Sequence, residues 1–195
     1  AEKVLIVGKE SLRAVNLGGG MHHAARASGS GFCVFNDVAL AIHHVRELGH
    51  KFPILVIDLD LHDGDGTREI FAEDPTVHTF SIHNKDLGQV TAIASTSVAL
   101  GAEVEDKTYL DAVREHLPPV MAACRPGLVF YLAGSDPCVD DKLGNWRITP
   151  EGMAQRDRLV LGLLRPEQAP VPTVILLAGG YGPAAWRHGA ALFSW

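Results

Sequence analysis

The run Ile54-Leu55-Val56-Ile57 is wholly apolar and ends in Asp58-Leu59-Asp60-Leu61-His62-Asp63-Gly64-Asp65-Gly66, and no other feature constrains the fold as tightly. An apolar segment without polar alternation is a strand covered on both faces, as in a parallel sheet with helices on either side. Four carboxylates and a histidine in the nine residues where that strand stops put dense charge at the rim of a buried sheet. One acid can cap the helix that follows. Four acids and a histidine call for a bound cation, because buried charge needs a partner.

Similar short runs recur at Val4 to Val7, Ala14 to Leu17, Val77 to Ile82, Leu128 to Leu132 and Val174 to Leu177, with the first extending from Ile54 to Leu59. Helical stretches separate them. Asn36 to Leu48 stops at Gly49, Thr67 to Ala72 follows the acidic loop, and Tyr109 to Cys124 is expected to kink or divide at Pro118-Pro119. Thr149 as N-cap and Pro150 in the first turn open a helix to Leu164, and residues 165–172 read as a turn-rich connector. This βαβα rhythm predicts an α/β fold, a single-domain parallel sheet flanked by helices over residues 1–195, with no internal repeat or dividing linker.

Ligands of such sheets bind at the carboxyl ends of the strands. Four glycine-rich or charged segments fall there: Gly18-Gly19-Gly20-Met21-His22-His23, the acidic run, Ala133-Gly134-Ser135-Asp136-Pro137 and Ala178-Gly179-Gly180-Tyr181-Gly182. They are expected to converge on one edge.

Composition narrows the partners. A formal charge of −6 with no Lys/Arg cluster excludes a nucleic-acid binder, and no apolar run is long enough to span a membrane. The three cysteines, Cys33, Cys124 and Cys138, have no CxxC spacing, which fits a reducing cytoplasm rather than a disulfide framework. The start at Ala1 and the end at Ala191-Leu192-Phe193-Ser194-Trp195 lead us to expect a piece of a longer protein or a processed chain.

Asp58, Asp60 and His62 are spaced two apart, so on an extended strand end their side chains share one face. Carboxylate and imidazole suit zinc or another divalent ion, and Asp136 can add a third ligand, leaving the open position of a catalytic metal. His22 and His23, on a glycine-rich loop, can each be oriented by a carboxylate and act as general base or acid, with Asp58 and Asp65 available. Tyr181 can reach over a pocket and stabilise an oxyanion, or it can simply pack. Cys33 reads as a small buried residue, His43-His44 as surface, and Trp146, Trp186 and Trp195 as core or interface aromatics.

In their order, GGGMHHA, SGFCVFND, VIDLDLHDGDGT, FSIH, AGSDP and GGY resemble the zinc-dependent histone deacetylase superfamily, including bacterial acetoin-utilisation proteins and acetylpolyamine amidohydrolases. The resemblance runs from about Asn16 to the C-terminus. It implies an arginase/deacetylase-like three-layer α/β/α fold and removal of acetyl or other acyl groups from lysine side chains or small amines. Asp60, His62 and Asp136 would hold Zn²⁺, for which Fe²⁺ can substitute. His22 paired to Asp58 and His23 paired to Asp65 would be the catalytic histidines, and Tyr181 would polarise the carbonyl. Gly31, Phe32, Gly179 and Gly180 would line the acyl-lysine site. A structural K⁺ would sit at Asp58, Asp60, His62, Ser81 and Ile82.

The chain departs from that pattern in three places. Asp63 stands where relatives carry His or Gln and has no assigned role. The N-terminal part is shortened, so a missing segment or a partner chain, including a second copy, would complete the rim. The segment after His83 lacks an aromatic wall. Two other readings compete: a binuclear manganese ureohydrolase of the arginase type, opposed by Gly64 at the position its motif gives to Asp, and a non-catalytic module that binds acyl-lysine or a partner.

Overall fold

The computed structural model describes residues 13–88, 90–165 and 170–192. Its six strands are β1 (Arg13–Asn16), β2 (Ile54–Asp58), β3 (Val77–His83), β4 (Ser95–Ala99), β5 (Leu128–Leu132) and β6 (Thr173–Leu176). They form one sheet in the order β1-β6-β5-β2-β3-β4, parallel throughout. The helices are α1 (Asp37–Glu47), α2 (Asp65–Ile70), α3 (Asp106–Cys124), α4 (Pro150–Leu163) and α5 (Ala185–Leu192). The expected strand at Val4 to Val7 lies outside the described residues.

The central strands are buried along their whole length because the period of two sends alternate side chains into two separate cores. Leu55, Ile57, Val129 and Tyr131 enter the core built with α3, α4 and α5, where Val113, Leu117, Val160 and Leu192 meet them. Ile54, Val56, Leu128 and Phe130 enter the other, against Val38, Ile42 and Val45 of α1. Each fully buried aliphatic side chain contributes about 1.5–3 kcal/mol, which is how apolar strands without polar alternation become the stable middle layer of an α/β/α sandwich.

Two features depart from the sequence reading. α3 is one helix from Asp106 to Cys124 and runs through Pro118 and Pro119. Val113 and Leu117 before the prolines and Val120 after them are all buried, so packing on the sheet holds the helix across the missing backbone donors. β4 was unforeseen: Ser95-Thr96-Ser97-Val98-Ala99 is polar and only partly covered, as befits an edge strand that, among the described residues, pairs with β3 alone. Trp186 is exposed, with the Arg187 guanidinium 5.4 Å from its ring centre, whereas Trp146 is core and Trp195 lies outside the described residues. Cys33 is buried and His43 and His44 are exposed, as read from the sequence.

Strand order positions the site. β1, β6, β5 and β2 are consecutive neighbours, and the loops leaving their carboxyl ends are the four glycine-rich or charged segments. No helix among the described residues is long and apolar enough to cross a membrane.

Candidate active site

β2 stops at Asp58, so Asp60 and His62 stand on the loop beyond it rather than on an extended strand end. The loop is shaped by its own acids. Asp58 Oδ1 accepts the Asp60 N–H (3.2 Å), Asp60 Oδ1 accepts the His62 N–H (2.9 Å) and Asp60 Oδ2 accepts the Gly179 N–H (2.7 Å). Asp136, from the loop after β5, accepts the Leu61 N–H at 3.0 Å.

These bonds bring three donor groups together. His62 Nδ1 lies 2.9 Å from Asp136 Oδ2 and 3.2 Å from Asp60 Oδ1. Two glycines leave room for the carboxylates: a Cβ on Gly179 would stand 2.5 Å from Asp60 Oδ2 and 2.8 Å from Asp136 Oδ2, and one on Gly134 would stand 2.8 Å from Asp60 Oδ2. Burial and the neighbouring charge of Asp60 push Asp136 up to about 7. Burial opposes ionisation of Asp60 too, but His22 and the His62 hydrogen bonds hold it well below the carboxylate range. Hydrogen bonds to Asp136 and then Asp60 raise His62 to about 10. Two facing buried carboxylates and an imidazole nitrogen make a donor set that fits a divalent cation.

The tandem histidines are fixed from behind. His22 Nδ1 is 2.6 Å from Asp58 Oδ2, and His23 Nδ1 is 2.8 Å from Asp65 Oδ1. Their rings lie 4.1 Å apart, and His22 Nε2 is 3.8 Å from Asp60 Oδ1. Although burial disfavours its charge, the carboxylates of Asp58 and Asp60 raise His22 to about 10. Asp37, in the first turn of α1, accepts the N–H groups of Gly20 (3.1 Å) and Met21 (2.8 Å) and so anchors the loop that carries both histidines.

A cavity of about 260 Å³ opens over this centre, lined among others by His22, His23, His62, Gly31, Phe32 and Tyr181. Gly31 has φ +49, and a methyl group there would overlap the His23 ring. Phe32 is 80% exposed and faces Tyr181 with ring centres 5.9 Å apart, so the two aromatics form one wall of the mouth. The Tyr181 N–H donates to Asp141 Oδ2 (2.6 Å), while burial and then the Asp60 and Asp136 charges push its phenol up to about 12. At the expected potassium position, Asp58 pairs in register with Ser81, whose hydroxyl is turned to His83 Nδ1 (2.8 Å).

Sequence reasoning missed the polar support. Asp63 is fully buried and grips Arg68 with both oxygens, 2.6 Å to Nη1 and 2.5 Å to Nη2, while also accepting the Leu87 N–H (3.0 Å). The residue without a role is thus the anchor of α2. Arg156, also buried, donates to the carbonyls of Gly134 (2.6 Å) and Leu59 (3.3 Å) and to Asp157 (2.9 Å), bracing the two loops that supply Asp60 and Asp136. Periodicity gave no signal for either arginine, since each sits in a helix where a charged residue reads as solvent-facing.

An uncharacterized protein of Picosynechococcus is 41% identical over 169 residues, covering 86% of this chain and 56% of that protein. Histone deacetylase 2 of Arabidopsis thaliana is 33% identical over 178 residues (89% and 46%), and histone deacetylase 8 of Xenopus laevis is 34% identical over 195 (93% and 57%). The chain spans about half the length of the curated relatives it matches. The family model for the histone deacetylase domain matches residues 1–194, and the chain belongs to that family.

Proposed function

We propose that the chain carries the catalytic centre of a metal-dependent deacylase, hydrolysing the amide of an acylated lysine side chain or an acetylated small amine. The observation that carries this reading is the convergence of His62 Nδ1 with the oxygens of Asp60 and Asp136, under a cavity lined by His22, His23 and Tyr181. Asp60, His62 and Asp136 would hold Zn²⁺, or Fe²⁺ in its place, and a structural K⁺ would sit near Asp58 and Ser81. The three free cysteines fit a reducing cytoplasm as its location.

The divalent ion supplies Lewis acidity toward a carbonyl oxygen and a water. Asp58 and Asp65 occupy the Nδ1 atoms of His22 and His23, so each ring offers Nε2 to the reaction. One histidine takes the proton of the attacking water and the other delivers a proton to the departing amine. The Tyr181 phenol, kept protonated, donates a hydrogen bond to the developing oxyanion. Gly31 and Phe32 on one side and Gly179 and Gly180 on the other would guide the acyl chain. A binuclear ureohydrolase of the arginase type would need carboxylates two residues beyond His62 and two before Asp136, where the chain has Gly64 and Gly134.

The test is hydrolysis of acetyl-lysine peptides and acetylpolyamines, with metal content measured on the same samples. Asp60→Ala and His62→Ala are expected to lose this centre's ion and turnover together, while His23→Ala keeps the ion and slows turnover by about 10²–10⁴-fold. Undiminished hydrolysis by a His62→Ala protein whose centre holds no metal would overturn the reading.

A further inference from the structure

A second group of metal-binding side chains lies outside the cavity. Cys138 and Asp140, on the loop after β5, and His188, on α5, place a sulfur, a carboxylate oxygen and an imidazole nitrogen within 4.8 Å of one another. Cys138 is 1% exposed, and the His188 side chain is 9% exposed. His188 Nε2 is buried without a hydrogen-bond partner among the described residues. Its neighbour Asp140 Oδ1 stands 3.8 Å away, beyond hydrogen-bond reach. That gap is close to the separation of two ligands on one tetrahedral ion, roughly 3.3–3.8 Å for bonds of about 2.0–2.3 Å.

A buried polar nitrogen without a partner calls for an explanation. The contrast with a third cluster, Asp63, His83 and Asp86, is informative. There Arg68 occupies Asp63, Ser81 meets His83 Nδ1 and Asp86 meets His83 Nε2, so the donors are already satisfied. Around Asp140, by contrast, the surrounding bonds fix the group without satisfying His188. The Ala184 N–H donates to Asp140 Oδ2 (3.3 Å), and a Cβ on Gly182 would stand 2.8 Å from the Asp140 carbonyl oxygen.

We propose that Cys138, Asp140 and His188 form a second metal site, taking zinc or another borderline divalent ion and tying the loop after β5 to α5. Thiolate, imidazole and carboxylate together select zinc over magnesium or calcium, and a water completes the fourth position. As the sulfur–metal bond forms, the Cys138 thiol gives its proton to solvent, and nothing is oxidised or reduced. The site's place in the fold gives it a structural task. Cys138 is two residues beyond Asp136, His188 is seven beyond Tyr181, and the Tyr181 N–H already donates to Asp141 in the same loop. A bound ion would therefore fix the seam between the loop of a candidate ligand and the loop of the candidate oxyanion donor. The inference stands apart from the deacylase reading.

Cobalt(II) distinguishes the two centres, because a thiolate ligand gives a near-ultraviolet sulfur-to-cobalt charge-transfer band and the Asp60, His62, Asp136 set has no sulfur. The full chain, titrated with cobalt(II), is expected to show that band in the unaltered protein and in His62→Ala, and to lose it in Cys138→Ala and in His188→Gln. Metal analysis after zinc loading and gel filtration should leave about one ion per chain in His62→Ala and none in the His62→Ala/His188→Gln pair. Circular dichroism checks folding, and Cys138→Ser serves where Cys138→Ala fails to fold. No band in His62→Ala, or a band that survives Cys138→Ala or Cys138→Ser and so comes from Cys33 or Cys124, would overturn the proposal.

Discussion

Asp63, the residue after the candidate ligand His62, and Arg68 form a buried, bidentate ion pair. Two charges out of water contribute little net stability as a pair, but removing one strands the other at about 3–5 kcal/mol. Asp63→Ala is therefore expected to lower the urea midpoint sharply, and Asp63→Leu with Arg68→Met should recover most of the loss. The pH dependence follows. Burial opposes its charge, yet the Arg68 hydrogen bonds and the Leu87 N–H hold the Asp63 carboxyl below the ordinary carboxylate range. A value depressed on folding gives stability that is fully present above about pH 4 and lost as the pH falls through the folded-state value. Urea titrations at descending pH should show that slope in the unaltered protein and a shallower one in the double variant. An unchanged slope would show that other carboxylates carry the acid sensitivity. The sequence could not disclose this pair, because Arg68 lies on a short helix five residues away and only the folded loop turns it inward.

At the scale of elements, the best-read boundary is the start of α4. Thr149 Oγ1 accepts the Gly152 N–H (3.0 Å), the capping role its place before Pro150 predicts. The fold adds a second bond that periodicity does not encode. Asp106, in the first turn of α3, accepts from the Thr149 N–H (2.7 Å) and hydroxyl (2.6 Å), so the two helix starts are tied together. Thr149→Ala removes a cap and leaves Asp106 one donor short, at an expected cost of about 1–2 kcal/mol, while Thr149→Ser should cost under about 0.5 kcal/mol. Equal losses for the two in thermal unfolding would show that the methyl group, not the hydroxyl, matters there. Local signals of this kind made β2, β3, β5 and β6 legible within a residue or two, since buried parallel strands announce themselves as apolar runs. β4 carried no such signal, and the prolines of α3 pointed the wrong way, because edge pairing and helix-on-sheet packing are settled by the tertiary structure.

Across the whole molecule, the candidate centre belongs to no single element. Asp60 and His62 follow β2, Asp136 follows β5, the paired histidines follow β1 and Tyr181 follows β6. Sequence motifs named these residues, but their meeting depends on β1 lying beside β6 and β5 beside β2, an order with two reversals that no local pattern states. An ion bridging the β2 and β5 loops binds the folded chain and not the unfolded one, so its affinity adds to global stability. At a free concentration about a hundred times the dissociation constant the gain is about 2.7 kcal/mol. In a domain of this size each kcal/mol moves the midpoint by about 2–4 °C, so filling this one centre should raise the melting temperature by roughly 5–10 °C over chelated protein, with any ion at the Cys138 cluster adding to that. His62→Ala should forfeit that part of the shift belonging to the Asp60, His62, Asp136 centre, and His188→Gln the part belonging to the Cys138 cluster. The paired variant should then melt at one temperature with or without zinc. Scanning calorimetry of the four proteins separates the contributions, and a zinc-dependent shift that persists in the paired variant would place the stabilising ion at neither cluster.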